Sequence, residues 1–224
     1  MRIVNNNIGV DVILDEYCMT VFVLENAKVF SEFVGDLWNQ INSGGGFTII
    51  SEAEKEIKIT SLVEMIFNPF SLNVNERRII SKILEELKEY ALESYSEDIE
   101  KINGLNAILI EKLAEKTPYH LTYDLEMDFA QILKIYNIEI DTDTTTLTER
   151  IIDYIQVVSD VLRKKVFVFV NLKQYLSRQD LIYLYEAARY NKTYLVLVEN
   201  KQYDSVPGEK VIIIDDQLCQ IVLD

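Results

Sequence analysis

Glycine is scarce in this chain, and lysine never follows it. Seven glycines occur in 224 residues, and the Gly-Lys step that closes a phosphate-binding loop is absent throughout. That absence excludes an ordinary P-loop nucleotide hydrolase. Histidine is scarcer still. His120 stands alone and the two cysteines, Cys18 and Cys219, sit near opposite ends, so no zinc-site spacing can be assembled. Nucleophilic catalysis by either thiol with His120 has no local motif to support it. Two such thiols are expected to stay reduced. No window approaches the roughly 20 apolar residues that cross a bilayer. The opening stretch MRIVNNNIGVDVILDE carries Asp11, Asp15 and Glu16 in place of the apolar run of a signal peptide. The expectation is a cytoplasmic protein without a membrane partner.

Positive charge is also short. Lysine and arginine number 22 against 37 aspartates and glutamates, a net charge of −15. A nucleic-acid binder normally shows a basic balance, because counterion release from phosphates supplies most non-specific affinity. DNA binding by such a chain requires its cations to be gathered on one surface, or its acid to be neutralised by divalent cations. The remaining composition, 49% hydrophobic and 26% charged, is that of a folded globular protein.

Hydrophobic periodicity divides the chain into α/β ends and a helical middle. Thr20 to Leu24 reads as a strand, and Phe30, Phe33, Val34, Leu37, Trp38 and Ile41 then form one helical stripe. Ser43-Gly44-Gly45-Gly46 ends that helix, and Phe47 to Ile50 reads as the next strand. LVEMIFNPF is expected to be extended. Helices follow from Glu76 to Glu93 and from Glu97 to Lys116, a pair spaced for a hairpin, and a third from Met127 to Tyr136. Thr146 with Glu149 predicts a capping box before the helix that carries Ile151, Ile155 and Val158. VFVFV, the helix entered at Ser177 and Asp180, and YLVLV predict a βαβ unit with strands buried on both faces. Val211–Ile214 and Gln220–Leu223 complete a terminal hairpin across 215–218. The organisation is an α/β head, residues 1–75 and 138–224, with a helical leg over 76–137.

Few residues offer chemistry. The strand-to-helix connector Glu25-Asn26-Ala27-Lys28 lies where a phosphate loop would sit, but contains no glycine, and Glu25 would repel phosphate. Asp124, Glu126 and Asp128 alternate just before a helix. Such carboxylates can converge on a hard cation, or simply complement the helix dipole as a solvated cluster. Arg77-Arg78-Lys82-Lys88 and Arg163-Lys164-Lys165 are local basic groups interleaved with acid, and read first as solvated faces. A nucleotide-dependent phosphotransferase on a degenerate scaffold, and an acidic protein-interaction module that never touches nucleic acid, are the two competing readings.

The order of segments resembles the Csn-two family of type II-A CRISPR systems. TVFVLENAKVFSEFV is similar to the family's early strand and helix, and Asn73-Val74-Asn75 to the step that opens its long helix. TLTERIIDYIQVVSDVLRKKVFVFVNLKQYLSRQDL carries its Leu-x-Lys-Lys step at Leu162, Lys164 and Lys165. It also carries the strand ending in Asn171 and the Tyr175-Leu176-Ser177 entry to the next helix. Asp124-Leu125-Glu126-Met127-Asp128 resembles an acidic segment before the third helix. The resemblance implies a head related to P-loop nucleotide-binding folds but without the phosphate loop. It implies a non-catalytic, ring-shaped homotetramer that takes the ends of linear double-stranded DNA, with calcium ions supporting the ring. The function implied is CRISPR adaptation, the antiviral capture of new spacers, alongside the CRISPR integrase complex and effector nuclease. Lys134, Lys164 and Lys165 become DNA-facing candidates, and Asp124, Glu126 and Asp128 calcium-ligand candidates.

Overall fold

The computed structural model describes residues 1–52, 55–124, 128–217 and 219–223. Two compact units divide the chain. The first is Met1–Val74 with Asp143–Asp224, and the second is Asn75–Thr142.

The first unit is mixed α/β. Its large sheet holds β3 (Met19–Leu24), β6 (Val63–Ile66), β7 (Val166–Val170), β8 (Tyr194–Glu199), β9 (Glu209–Ile214) and β10 (Gln220–Leu223). Their spatial order is β10-β9-β3-β8-β7-β6. The pairs β9–β3, β3–β8, β8–β7 and β7–β6 are parallel, and β10 runs antiparallel to β9. Every residue of β3, β7 and β8 is buried, as unbroken apolar runs covered on both faces require. Helix α1 (Ala27–Ser43) buries Val29, Phe33 and Leu37 against one face, where Phe22 and Phe33 meet edge-on with centroids 5.8 Å apart. Gly44, at φ 76°, closes this helix in the left-handed conformation, and its N–H donates to the Gln40 carbonyl.

On the other face lie α6 (Leu147–Leu162) and α7 (Arg178–Tyr190), which pack on each other. Both begin in capping boxes, Thr146 with Glu149 and Ser177 with Asp180, as their sequences predict. The βαβ unit β7–α7–β8 and the terminal β9–β10 hairpin also follow the sequence reading. Asp215 organises that hairpin's turn, accepting from the Gln217 and Cys219 N–H groups.

Three features depart from the sequence reading. A second sheet, unexpected from the sequence, holds β1 (Arg2–Asn5), β2 (Val10–Ile13), β4 (Thr48–Glu52) and β5 (Lys55–Ile57) in the order β2-β1-β4-β5. The strand expected near Phe47 belongs here, and Ile3, Val10, Val12 and Ile50 bury into the same core as α1. The segment expected to be extended at LVEMIFNPF is mixed. A helical turn, α2 (Ile59–Leu62), precedes β6, and a 3-10 turn at Pro69–Ser71 follows it.

The third departure is in the second unit, which is helical: α3 (Arg77–Ser94), α4 (Ser96–Ala114) and α5 (Phe129–Ile135). Asn75 clasps its two ends, donating from Nδ2 to the Ile140 carbonyl at 3.0 Å while its Oδ1 accepts from the Ile140 N–H at 2.7 Å. The expected hairpin is partial. α3 contacts α5 as well as α4, and α4 buries Ile99 while Ile102, Leu105, Leu109 and Leu113 stay exposed.

Candidate functional site

The carboxyl ends of parallel strands are where open α/β sheets hold ligands, and β3 lies inside the sheet between β8 and β9. Its successor helix has two of its first N–H groups already taken. Asn26 caps α1, its side-chain oxygen accepting from the Lys28 and Val29 N–H groups at 3.0 and 3.3 Å. These are the groups a phosphate loop would aim at an anion. The Glu25 N–H is likewise taken, by the Ile214 carbonyl.

Beside it, a buried polar network ties the β7–α7 connection to β8 and β9. Asn171 takes a positive φ of 54°, its N–H donates to the Val198 carbonyl, and its Oδ1 accepts from the Asn200 N–H. The next turn brings the Lys173 N–H onto Glu199 at 3.0 Å and its ammonium onto Glu209 at 2.8 Å. Tyr185 donates its hydroxyl to Glu209. Burial, then the Glu209 charge, pushes the Tyr185 phenol far up, so it stays protonated as that donor. Glu199 is fully buried, and burial pushes its carboxyl up to about 7 against the pull of the Lys173 N–H. Its Oε2 accepts no hydrogen bond among the described residues. Of this network the sequence analysis names Asn171, as the end of an apolar strand. The readable signal for Glu199 is an acid closing another such strand.

The basic candidates separate by environment. Lys164 is 9% exposed, and its ammonium donates to the carbonyls of Thr60 and Val63 at 2.6 and 3.0 Å. Its charge holds α2 and β6 against the start of β7, so Lys164 is withdrawn from the DNA-facing set. Lys165 is exposed, with its backbone engaged on both sides by Leu62 and Tyr194. Lys134 is exposed in the last turn of α5, and there it meets Arg77 at a shared cavity of about 470 Å³. Asn75, Ser81 and Asn137 add neutral donors to that lining, and Glu139 is its one carboxylate. Two cations with amide and hydroxyl donors suit a phosphate diester.

Two of the three acidic candidates, Asp124 and Asp128, lie among the described residues. Glu126 lies outside the described residues. Asp128 caps α5 through the Ala130 N–H at 3.1 Å and pairs with Lys88 at 2.9 Å. The Lys88 hydrogen bond, then that N–H, holds its carboxyl below the usual range. Asp124 is exposed. Among the described residues no group of three or more His, Cys, Asp or Glu side chains could hold a metal.

Residues 40–218 match the family described as CRISPR-associated protein (Cas_Csn2). The chain belongs to that family. The matched span takes in the whole helical unit and the strands β6 to β9. A relative, the CRISPR-associated protein Csn2 of Streptococcus agalactiae, is 26% identical over 188 residues, covering 83% of this chain and 84% of the relative. Cas_Csn2 membership therefore accompanies a mixed α/β unit with a capped strand–helix step and a helical unit bearing a basic cavity. Among the described residues, no helix is long and apolar enough to cross a membrane.

Proposed function

We propose that this CRISPR-associated chain binds the ends of linear double-stranded DNA as a ring of four copies, without catalysing a reaction. In that role it supports spacer acquisition beside the CRISPR integrase complex and the effector nuclease. Family membership carries the reading. The Asn26 cap supports the non-catalytic part, because it engages two of the N–H groups that would cradle a nucleotide phosphate. The parallel order β9-β3-β8-β7-β6, with the first strand between the fourth and the fifth, supports descent from a P-loop nucleotide-binding fold that lost its loop. Lys134 and Arg77 are the DNA contacts of this reading, with Lys165 a further exposed cation. Contacts to phosphate position a protein without reading bases, so binding is independent of sequence.

Calcium support, implied by the family resemblance, is a separate arm of the test. Linear and closed-circular duplexes of equal length are run in gel shifts at low salt, with calcium and with chelator. The expected result is retardation of the linear form, strengthened by calcium. If linear DNA is not retarded in calcium, the clamp is wrong. The net charge of −15 favours the alternative of an acidic protein-docking module, and that null result would select it.

A further inference from the structure

The cavity that Arg77 and Lys134 share lies wholly within the second unit, among residues 75–139. Arg77, Ser81 and Leu84 stand on one face of α3, at the i, i+4, i+7 spacing that stacks side chains along a helix. The other wall comes from α5 and the turn after it. Asn137 makes that turn at a positive φ of 47°, its N–H donating to the Lys134 carbonyl at 3.2 Å. Asn75 fixes the wall from the α3 side, since both polar atoms of its side chain bond the Ile140 backbone. Arg77 and Lys134 form no ion pair among the described residues. Asp128, whose charge Lys134 also feels, is already paired with Lys88 at 2.9 Å. Both cations therefore remain available to a ligand.

We infer that this cavity seats a phosphate monoester at the terminus of a DNA strand, in preference to a phosphate inside the strand. The inference rests on the reading of the chain as a DNA-end binder. Two features of the lining select the terminus. A monoester carries a charge of about −1.5 to −2 at pH 7 and three acceptor oxygens, whereas a diester within a strand carries a single charge and one free oxygen fewer. Two cations, the Ser81 hydroxyl and the Asn137 amide offer the larger group a partner for each oxygen. Glu139 is the second feature. It is the one carboxylate of the lining, and it is exposed. A continuous strand carries a charge about every 3.4 Å of helix axis. The neighbours of a seated diester therefore fall within the roughly 10 Å over which a carboxylate acts through salt. At a terminus the strand stops, and one of those repelled neighbours is missing. The two cations outnumber Glu139 for the seated group, but a flanking phosphate has no cation of the lining left to itself.

The test measures affinity at low salt for one blunt linear duplex in three forms, ending in hydroxyls, in 5′-phosphates or in 3′-phosphates. At least one phosphorylated form is expected to bind about tenfold tighter than the hydroxyl form, the worth of one charge-assisted hydrogen bond. Lys134→Gln and Arg77→Gln are expected to bring that ratio close to one, and Glu139→Gln to narrow it by strengthening the hydroxyl form. Lys165→Gln removes an exposed cation outside the cavity, so it is expected to weaken all three forms alike and leave the ratio intact. Thermal melting checks that each variant is folded. A ratio of one in the native chain, or a ratio that survives both Lys134→Gln and Arg77→Gln, overturns the seat and leaves DNA-end binding standing. Equal binding of the three forms together with a melting rise in dAMP but not in deoxyadenosine assigns the cavity to free nucleotides, and likewise overturns the strand terminus. If no form is bound, the inference and the DNA reading fall together.

Discussion

Glu199 is fully buried, with one carboxyl oxygen accepting from the Lys173 N–H and the other without a hydrogen bond among the described residues. Its carboxyl titrates at about 7 in the folded chain and near its ordinary 4.5 in the unfolded one. Between those values the native state holds more protons than the unfolded state, so stability falls as pH rises from 4.5 to 7 and stays reduced above 7. The size of this effect is on the order of a few kcal/mol. Glu199→Gln keeps an oxygen for the Lys173 N–H and removes the titration. The melting temperature of the variant relative to the native chain is expected to climb from pH 5 to pH 8; a constant difference would show that Glu199 is not ionising there. The lysines make a second contrast. Lys134→Glu is expected to weaken duplex binding and make its salt dependence shallower, with little change in melting, and Arg77→Glu to do the same. Lys164→Met is expected to leave DNA binding alone and cost about 1–3 kcal/mol of stability, because the Thr60 and Val63 carbonyls lose their donor. A gel shift paired with denaturant unfolding on each variant checks both halves. The two lysines of Arg163-Lys164-Lys165 could not be told apart from sequence. Whether a lysine faces water or carbonyls was decided by α2 and β6, about a hundred residues upstream.

At the scale of elements, local chemistry was the legible part. The α6 capping box is written in Thr146 and Glu149, and the structure closes it with Glu149 accepting from the Thr145 and Thr146 N–H groups. Those donors, Thr146 first, hold the Glu149 carboxyl at about 2. Its stabilising contribution is therefore present above the ordinary carboxylate range and fades as pH falls toward 2. Thr146→Ala is expected to cost about 1 kcal/mol, read as a lower denaturant midpoint at unchanged slope. The unbroken runs VFVFV and YLVLV announced buried parallel strands for the same reason, since period and length suffice. The β1–β2 hairpin was missed, although Val10, Asp11 and Val12 alternate buried and exposed. Four-residue strands joined through Asn5-Asn6-Asn7 carry too few positions for a period to stand out. The partial pairing of α3 and α4 was missed because amphipathic spacing reveals an apolar face but not what covers it.

Across the whole molecule, family membership was legible from the order and spacing of segments, while the candidate site was not. Lys134 and Arg77 are far apart in sequence, and only the packing of α5 on α3 brings them to one cavity. The acidic candidates remained a pattern of acids, one of them paired with Lys88 across 40 residues.

The position of β3 also sets the order in which the polypeptide can mature. This strand leaves the ribosome early, yet both of its ladder partners, β8 and β9, belong to the last third of the chain. During synthesis Met19-Thr20-Val21-Phe22-Val23-Leu24 must wait unpaired while the helical segment emerges and can already coil. Non-local parallel pairing is slow and leaves apolar segments open to aggregation. Truncation before β9 therefore strands a wholly buried strand of the nascent protein without a neighbour on one side.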